Sequence, residues 1–147
     1  MPINISPCIQ LSNLILHLPL NDSIDGIDIS NEMIEIAREK RIYRNLECFN
    51  PNKSIPVKKN EYSIITAIGV ISVGAAPISI FDEVFDLLPK DGLFAFSFNE
   101  HSLMVPEYSL KVEQTVNEKK AVQLFCELGP HILKRDLKSM VYIIKKL

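Results

Sequence analysis

Two apolar runs set the limits on what this chain can become. Tyr62 to Ile68 (YSIITAI) and Leu93 to Phe98 (LFAFSF) are almost unbroken by polar residues. A strand with one face in water alternates; near-continuous apolar character marks burial on both faces, the habit of parallel sheets covered by helices. Between the runs, Ile80, Phe81, Val84, Phe85 and Leu88 recur at helical spacing, with Pro77 suited to a first turn and Pro89 ending the segment. Pro89 to Gly92 (PKDG) is turn chemistry.

The same alternation runs upstream. Leu11, Leu14, Ile15 and Leu18 form one stripe of a short helix over Ile9 to Leu18. Ile24 to Ile29 reads as a strand. Ser30 suits the cap of the next helix, Glu32 its positive first turn, and Arg38, Lys40 and Arg41 its end. Met33, Ile36 and Ala37 face one side of that helix. Leu46 to Phe49 is a further strand, before an irregular stretch with Pro51 and Pro56. Glu107 to Val116 has helical period. Ala121 to Glu127 and Met140 to Ile144 read as late strands, joined through Gly129-Pro130 and expected to pair antiparallel. This order predicts one α/β layered domain over residues 1–147 with a largely parallel sheet.

Composition removes several function classes. A net charge of −2 argues against general affinity for nucleic acid or acidic membranes. Cys8, Cys48 and Cys126 are scattered, with no CxxC or His/Cys cluster, so no metal site is expected and a reducing cytoplasm is. The opening MPINISPCIQ has no basic n-region of a signal peptide. Ser63 to Phe81 is uncharged and long enough to span a bilayer, but Gly69, Gly74, Pro77 and its hydroxyls suit a strand, a loop and a helix start better.

In open parallel sheets ligands sit beyond the carboxyl ends of the strands. That rule selects Asp28 to Asn31, Phe49-Asn50, Ile68 to Gly74, and Asn99 to His101. Asp28 reads equally as a helix-start acid beside Ser30 or as an acceptor for ligand hydroxyls. Met33 reads as core packing on the helix stripe. Asn50 reads as a turn residue before Pro51. His101 and Glu100 are candidates to orient or deprotonate a substrate, or are simply loop residues.

At these residues the chain resembles class I S-adenosylmethionine (SAM)-dependent methyltransferases, with the flavour of the small Williams–Beuren-region and UbiE-like groups. IDGIDISNEMIEIAREKRIYRNL resembles their second motif, NEYSIITAIGVI their fourth strand and following loop, and IFDEVFDLLPKDGLFAFSFNEH the helix, turn and fifth strand. LKSMVYIIKKL is similar to their last, antiparallel strand. The resemblance implies a Rossmann-like sheet, mostly parallel, with SAM as cofactor and a small-molecule methyl acceptor. It implies that Asp28 accepts from the ribose hydroxyls, that Ile29, Met33 and Asn50 lie by the adenosine, and that Ile68, Gly69 and Val70 line the methionine end. Glu100 and His101 would stand near the acceptor.

One part of the family pattern is missing. No glycine precedes Gly26, and Pro2 to Cys8, where the glycine-rich loop belongs, holds neither glycine nor acid. The first strand is expected to be a stub over Ile3 to Ile5 or absent, as in a truncated or diverged relative. Losing this central strand would leave two strand edges to be paired by another segment or by a second copy, which favours homo-oligomerisation. Two functions follow from the pattern: a SAM-dependent methyltransferase, or a non-catalytic methyltransferase-like binding module. A nicotinamide-dinucleotide protein is a third, and it needs the same absent glycines.

Overall fold

The computed structural model describes residues 2–5, 23–132 and 137–147. The helix expected over Ile9 to Leu18 lies outside them. The described elements are β1 (Pro2–Ile5), β2 (Ile24–Asp28), α1 (Asn31–Glu39), β3 (Tyr43–Cys48), β4 (Ile64–Ala67), α2 (Ser79–Leu87), β5 (Leu93–Asn99), α3 (Glu100–Leu103), α4 (Pro106–Asn117), β6 (Ala121–Ile132) and β7 (Leu137–Lys146). They form a seven-stranded sheet of order β3-β2-β1-β4-β5-β7-β6. β1 to β5 are mutually parallel, and β7 runs antiparallel between β5 and β6. The α/β class, the mostly parallel sheet and the late antiparallel pair are as the sequence predicts.

The stub of the first strand fills the centre of the sheet. Ile3 pairs with Asp25 on one side and with Ile65 on the other, and Asn4 with Gly26 and Thr66. Four residues suffice because the neighbours are equally short, five in β2 and four in β4. Pro2 opens the strand, where a missing N–H costs least.

Several boundaries differ from expectation. β3 begins at Tyr43, three residues early, and Gly26 explains its packing: a Cβ there would lie 2.8 Å from Leu46 Cδ2. The side chains of β3 fold over β2 through that gap. On α1 the buried residue is Ile34, while Ile36 is exposed, so the inward stripe is rotated from the expected one. Gly129-Pro130 lies inside β6 and not between the two strands; an edge strand accommodates a proline whose nitrogen has no proton to donate.

The core is largely aromatic. Phe94, Phe96 and Phe98 alternate along β5 and point to one face, where Phe81 of α2, Tyr108 of α4 and Tyr142 of β7 meet them. Phe96 and Tyr142 stack with ring centroids 5.1 Å apart. Among the described residues no helix is long and apolar enough to cross a membrane.

Lys146 closes this layer. α2 has no basic residue in its last turn, yet its final carbonyls carry the negative end of the helix dipole. Lys146 Nζ, from the end of β7, donates to Phe85 O at 2.8 Å and Leu88 O at 2.7 Å, and lies 5.1 Å from the centre of the Phe85 ring. Lys146→Met keeps the apolar stem and removes the donors. It should destabilise the fold by about 1–2 kcal/mol in urea titration.

Candidate functional site

The sequence IDGID places two aspartates three residues apart on β2, and the fold gives them opposite situations. Asp25 is buried and fully partnered. Its carboxylate accepts from Arg44 Nε at 3.0 Å, from Arg44 Nη2, from the Asn45 amide at 3.1 Å and from the Tyr62 hydroxyl at 2.6 Å. Burial pushes this carboxyl up, but the donors of Arg44 and Tyr62 outweigh it and hold the group below its ordinary value. The network joins β2, β3 and the segment leading into β4.

Asp28 ends β2 and is 7% exposed. Its Oδ1 accepts from the Ser30 amide at 2.8 Å, and Ser30 Oγ in turn accepts from Met33 N at 3.3 Å to cap α1. No ion pair reaches Asp28 among the described residues. Burial therefore dominates, and its carboxyl is raised despite the backbone donors Ser30 and Ile29. A carboxylate offers about four acceptor positions. Asp28 is thus a desolvated acid with acceptor capacity unspent.

That spare capacity faces a cavity of about 510 Å³ at the carboxyl ends of β2, β3 and β4. Ile29 and Phe49 line it beside Asp28, Val70 lines it from the β4–α2 loop, and Ala76, Pro77 and Ile80 from the start of α2. Its size and apolar walls with few polar groups suit a small organic ligand. Glu83 joins two walls: its Oε1 accepts from the Ile55 amide at 2.6 Å, fastening the irregular stretch after β3 to α2. Sequence reasoning missed Lys53, Ile55 and Glu83 as lining residues. The available signal was Ile55 itself, an apolar residue inside a largely polar stretch with Pro51 and Pro56.

The other expected site residues lie around this cavity. Asn50 is outside the lining, and its Oδ1 accepts from Asn52 N at 2.9 Å, closing a turn. Met33 sits half-buried on α1, also outside the lining. Ile68 and Gly69 follow β4. Gly69 has φ of 72°, a conformation glycine adopts without strain, and its N–H donates to Ser97 Oγ at 2.9 Å. Val70, next in the chain, turns into the cavity.

Glu100 and His101 occupy a second cavity of about 450 Å³, with Leu103, Met104 and Leu128. They stand on the helical turn α3 and not in a loop. Asn99 caps that turn: its Oδ1 accepts from Ser102 N at 2.9 Å and Ser102 Oγ at 2.8 Å. The Val73 amide donates to Ser102 Oγ at 3.0 Å, so the β4–α2 loop is fastened to the turn that carries His101. No group of histidine, cysteine and acidic residues suited to a metal occurs among the described residues.

Comparison with known proteins bears on this geometry. The family model described as a methyltransferase domain matches residues 10–96, more than half of the chain. No curated protein matches. Among solved structures, the PH0226 protein of Pyrococcus horikoshii OT3 is similar at 14% identity and a TM-score of 0.66, over 99% of this chain and 82% of that one. The N-methyltransferase NodS of Bradyrhizobium japonicum WM9, in complex with S-adenosyl-L-homocysteine (SAH), is similar at 10% identity and 0.66, over 99% and 77%. So is the geranyl diphosphate C-methyltransferase of Streptomyces coelicolor A3(2), at 10% and 0.66, over 99% and 71%. At these identities the likeness is one of fold.

The two aspartates should respond oppositely to substitution. Asp25 has a lowered carboxyl, so its contribution is fully present above the unfolded value near 3.8 and is lost as pH falls through the lower folded value. Asp25→Ala should cost about 2–4 kcal/mol at neutral pH, and its stability should fall less steeply than wild type's below pH 3.8. Asp28 has a raised carboxyl, so wild type loses stability as pH rises from 3.8 through the folded value. Asp28→Asn keeps an acceptor for Ser30 and should be at least as stable as wild type at neutral pH by thermal melting.

Proposed function

The chain belongs to the methyltransferase domain family, and from that premise we propose that it binds SAM in the cavity at Asp28 and methylates a small molecule. One observation carries this reading: a buried acid without a cation partner among the described residues, opening on an apolar cavity at the carboxyl edge of a parallel sheet. An adenosine needs such a pairing. Its base is a flat, largely apolar group, and its ribose presents two adjacent hydroxyl donors that one carboxylate can take together.

The residues present fit the adenosine half of the cofactor. In this reading Asp28 accepts from the ribose hydroxyls. Ile29, Phe49 and Val70 take the base and exclude water, while Met33 and Asn50 lie outside the cavity lining. Ile68 and Gly69 face the methionine end. When bound, SAM supplies a methyl group on a sulfonium, and the C–S bonding electrons stay on sulfur as the methyl leaves. The chain's own part is orientation, which alone accounts for a large share of such rate enhancements. Glu100 or His101 would hold the acceptor or receive its proton. The domain is taken to span residues 1–147 and to act in the cytoplasm.

A second reading, a non-catalytic methyltransferase-like binding module, is favoured by one feature. Pro2 to Cys8 contains no glycine and no acid, so the usual loop for the methionine end has no counterpart there.

Calorimetric titration of SAH separates these ideas. Folded wild type should bind, and Asp28→Ala should weaken binding by at least about tenfold, the effect of losing one charge-assisted hydrogen bond. Absence of heat with folded wild type removes the cofactor assignment. Unchanged affinity in Asp28→Ala removes the ribose assignment. Binding of SAH without methyl transfer from SAM across small-molecule acceptors supports the second reading.

A further inference from the structure

One wall of the Asp28 cavity is made by a segment that belongs to no strand or helix. Pro51, Lys53 and Ile55 line the cavity from the stretch between β3 and β4. Pro51 and Pro56 have no N–H to give to a ladder. The remaining donors of the stretch must find partners elsewhere. Two anchors bound it. Phe49 N donates to Asp28 O at 3.0 Å, at the sheet. Ile55 N donates to Glu83 Oε1 at 2.6 Å, on α2. Between the anchors, Lys53 N donates to Asn50 O at 3.0 Å and Asn52 N to Asn50 Oδ1 at 2.9 Å, both within one turn.

The next ties from this stretch to α2 among the described residues come at Lys59 and Asn60. Lys59 Nζ donates to Asp86 Oδ1 at 2.8 Å, and Asn60 N to Leu87 O at 2.7 Å. Lys59, Asn60, Asp86 and Leu87 are outside the cavity lining. Glu83 is inside it, on one face of α2 with Ser79 and Ile80, four and three residues earlier. Ile55 is 5% exposed, so its amide has little access to water if the carboxylate is lost. The carboxylate therefore fixes where Ile55 stands, and the short span back to Pro51 follows it.

We propose, on the reading of this cavity as the SAM site, that Glu83 is a positioning residue for the ligand: through the Ile55 amide it holds the 51–55 wall in the shape that the ligand meets. Without this clasp the wall samples other positions, and affinity falls with the fraction of chains still closed.

Calorimetry with SAH on full-chain variants, together with amide exchange of the ligand-free protein, tests this. Glu83→Ala should weaken SAH binding about five- to tenfold. Glu83→Gln, whose amide oxygen still accepts, should bind within about twofold of wild type. Asp86→Ala cuts the exposed tie to Lys59 and should also bind within about twofold, whereas a general loosening of the fold would weaken it like Glu83→Ala. The Ile55 amide should exchange at least about tenfold faster in Glu83→Ala, with the Asn60 amide at its wild-type rate. Unchanged SAH affinity in Glu83→Ala overturns the proposal. So does a Glu83→Gln variant as weak as Glu83→Ala, an equal loss in Asp86→Ala, or an Ile55 amide that stays protected in Glu83→Ala. Absence of heat with folded wild type is a separate failure: it removes the cofactor reading, and the role of Glu83 with it.

Discussion

The structure rests on the pairing of Pro2–Ile5. This short strand has a neighbour on each side, and without it the sheet would part into β3-β2 and β4-β5-β7-β6, each with an unpaired inner edge. Backbone groups stranded there would cost more than the side chains of so short a segment could return. The cavity depends on the same strand. Asp28 ends β2 and Val70 follows β4, and β1 sets the distance between them.

The two aspartates of β2 show how one strand can carry a saturated acid and an unsaturated one. Asp25 has spent its acceptors on Arg44, Asn45 and Tyr62, residues from two other segments. Asp28 has spent one of its oxygens on an amide two residues away. A saturated acid holds elements together. An unsaturated, desolvated one is costly for the fold and useful to a ligand, a common division between scaffold and site.

Much of this was legible in the sequence where a period or a cap repeats. The apolar runs of β4 and β5, the Ser30 cap and the spacing of α2 all report local physics, and the structure follows them. Asp28 was legible as the acid that ends β2, because strand ends and acids have a known place in such sheets. Asp25 was passed over because its partners lie 19 to 37 residues away, and no local pattern announces them. The turn α3 is too short to show a period. The stretch holding Lys53 and Ile55 has no period at all; its place is fixed by one hydrogen bond to Glu83. The choice of Ile34 over Ile36 as the inward residue of α1 turns on packing against β2 and β3, which spacing alone does not fix.

The position of β7 has a consequence for how the chain is made. It is the last strand in sequence but lies between β5 and β6, and its Lys146 fastens α2 from below. On a ribosome, β5 and β6 emerge with no strand between them. They can only wait, with Phe96 and Phe98 still lacking Tyr142, until β7 follows them out of the exit tunnel. Closure of this sheet therefore waits on the synthesis of β7, and a product cut before Leu137 would be a substrate for chaperones and proteases rather than a smaller version of the same domain.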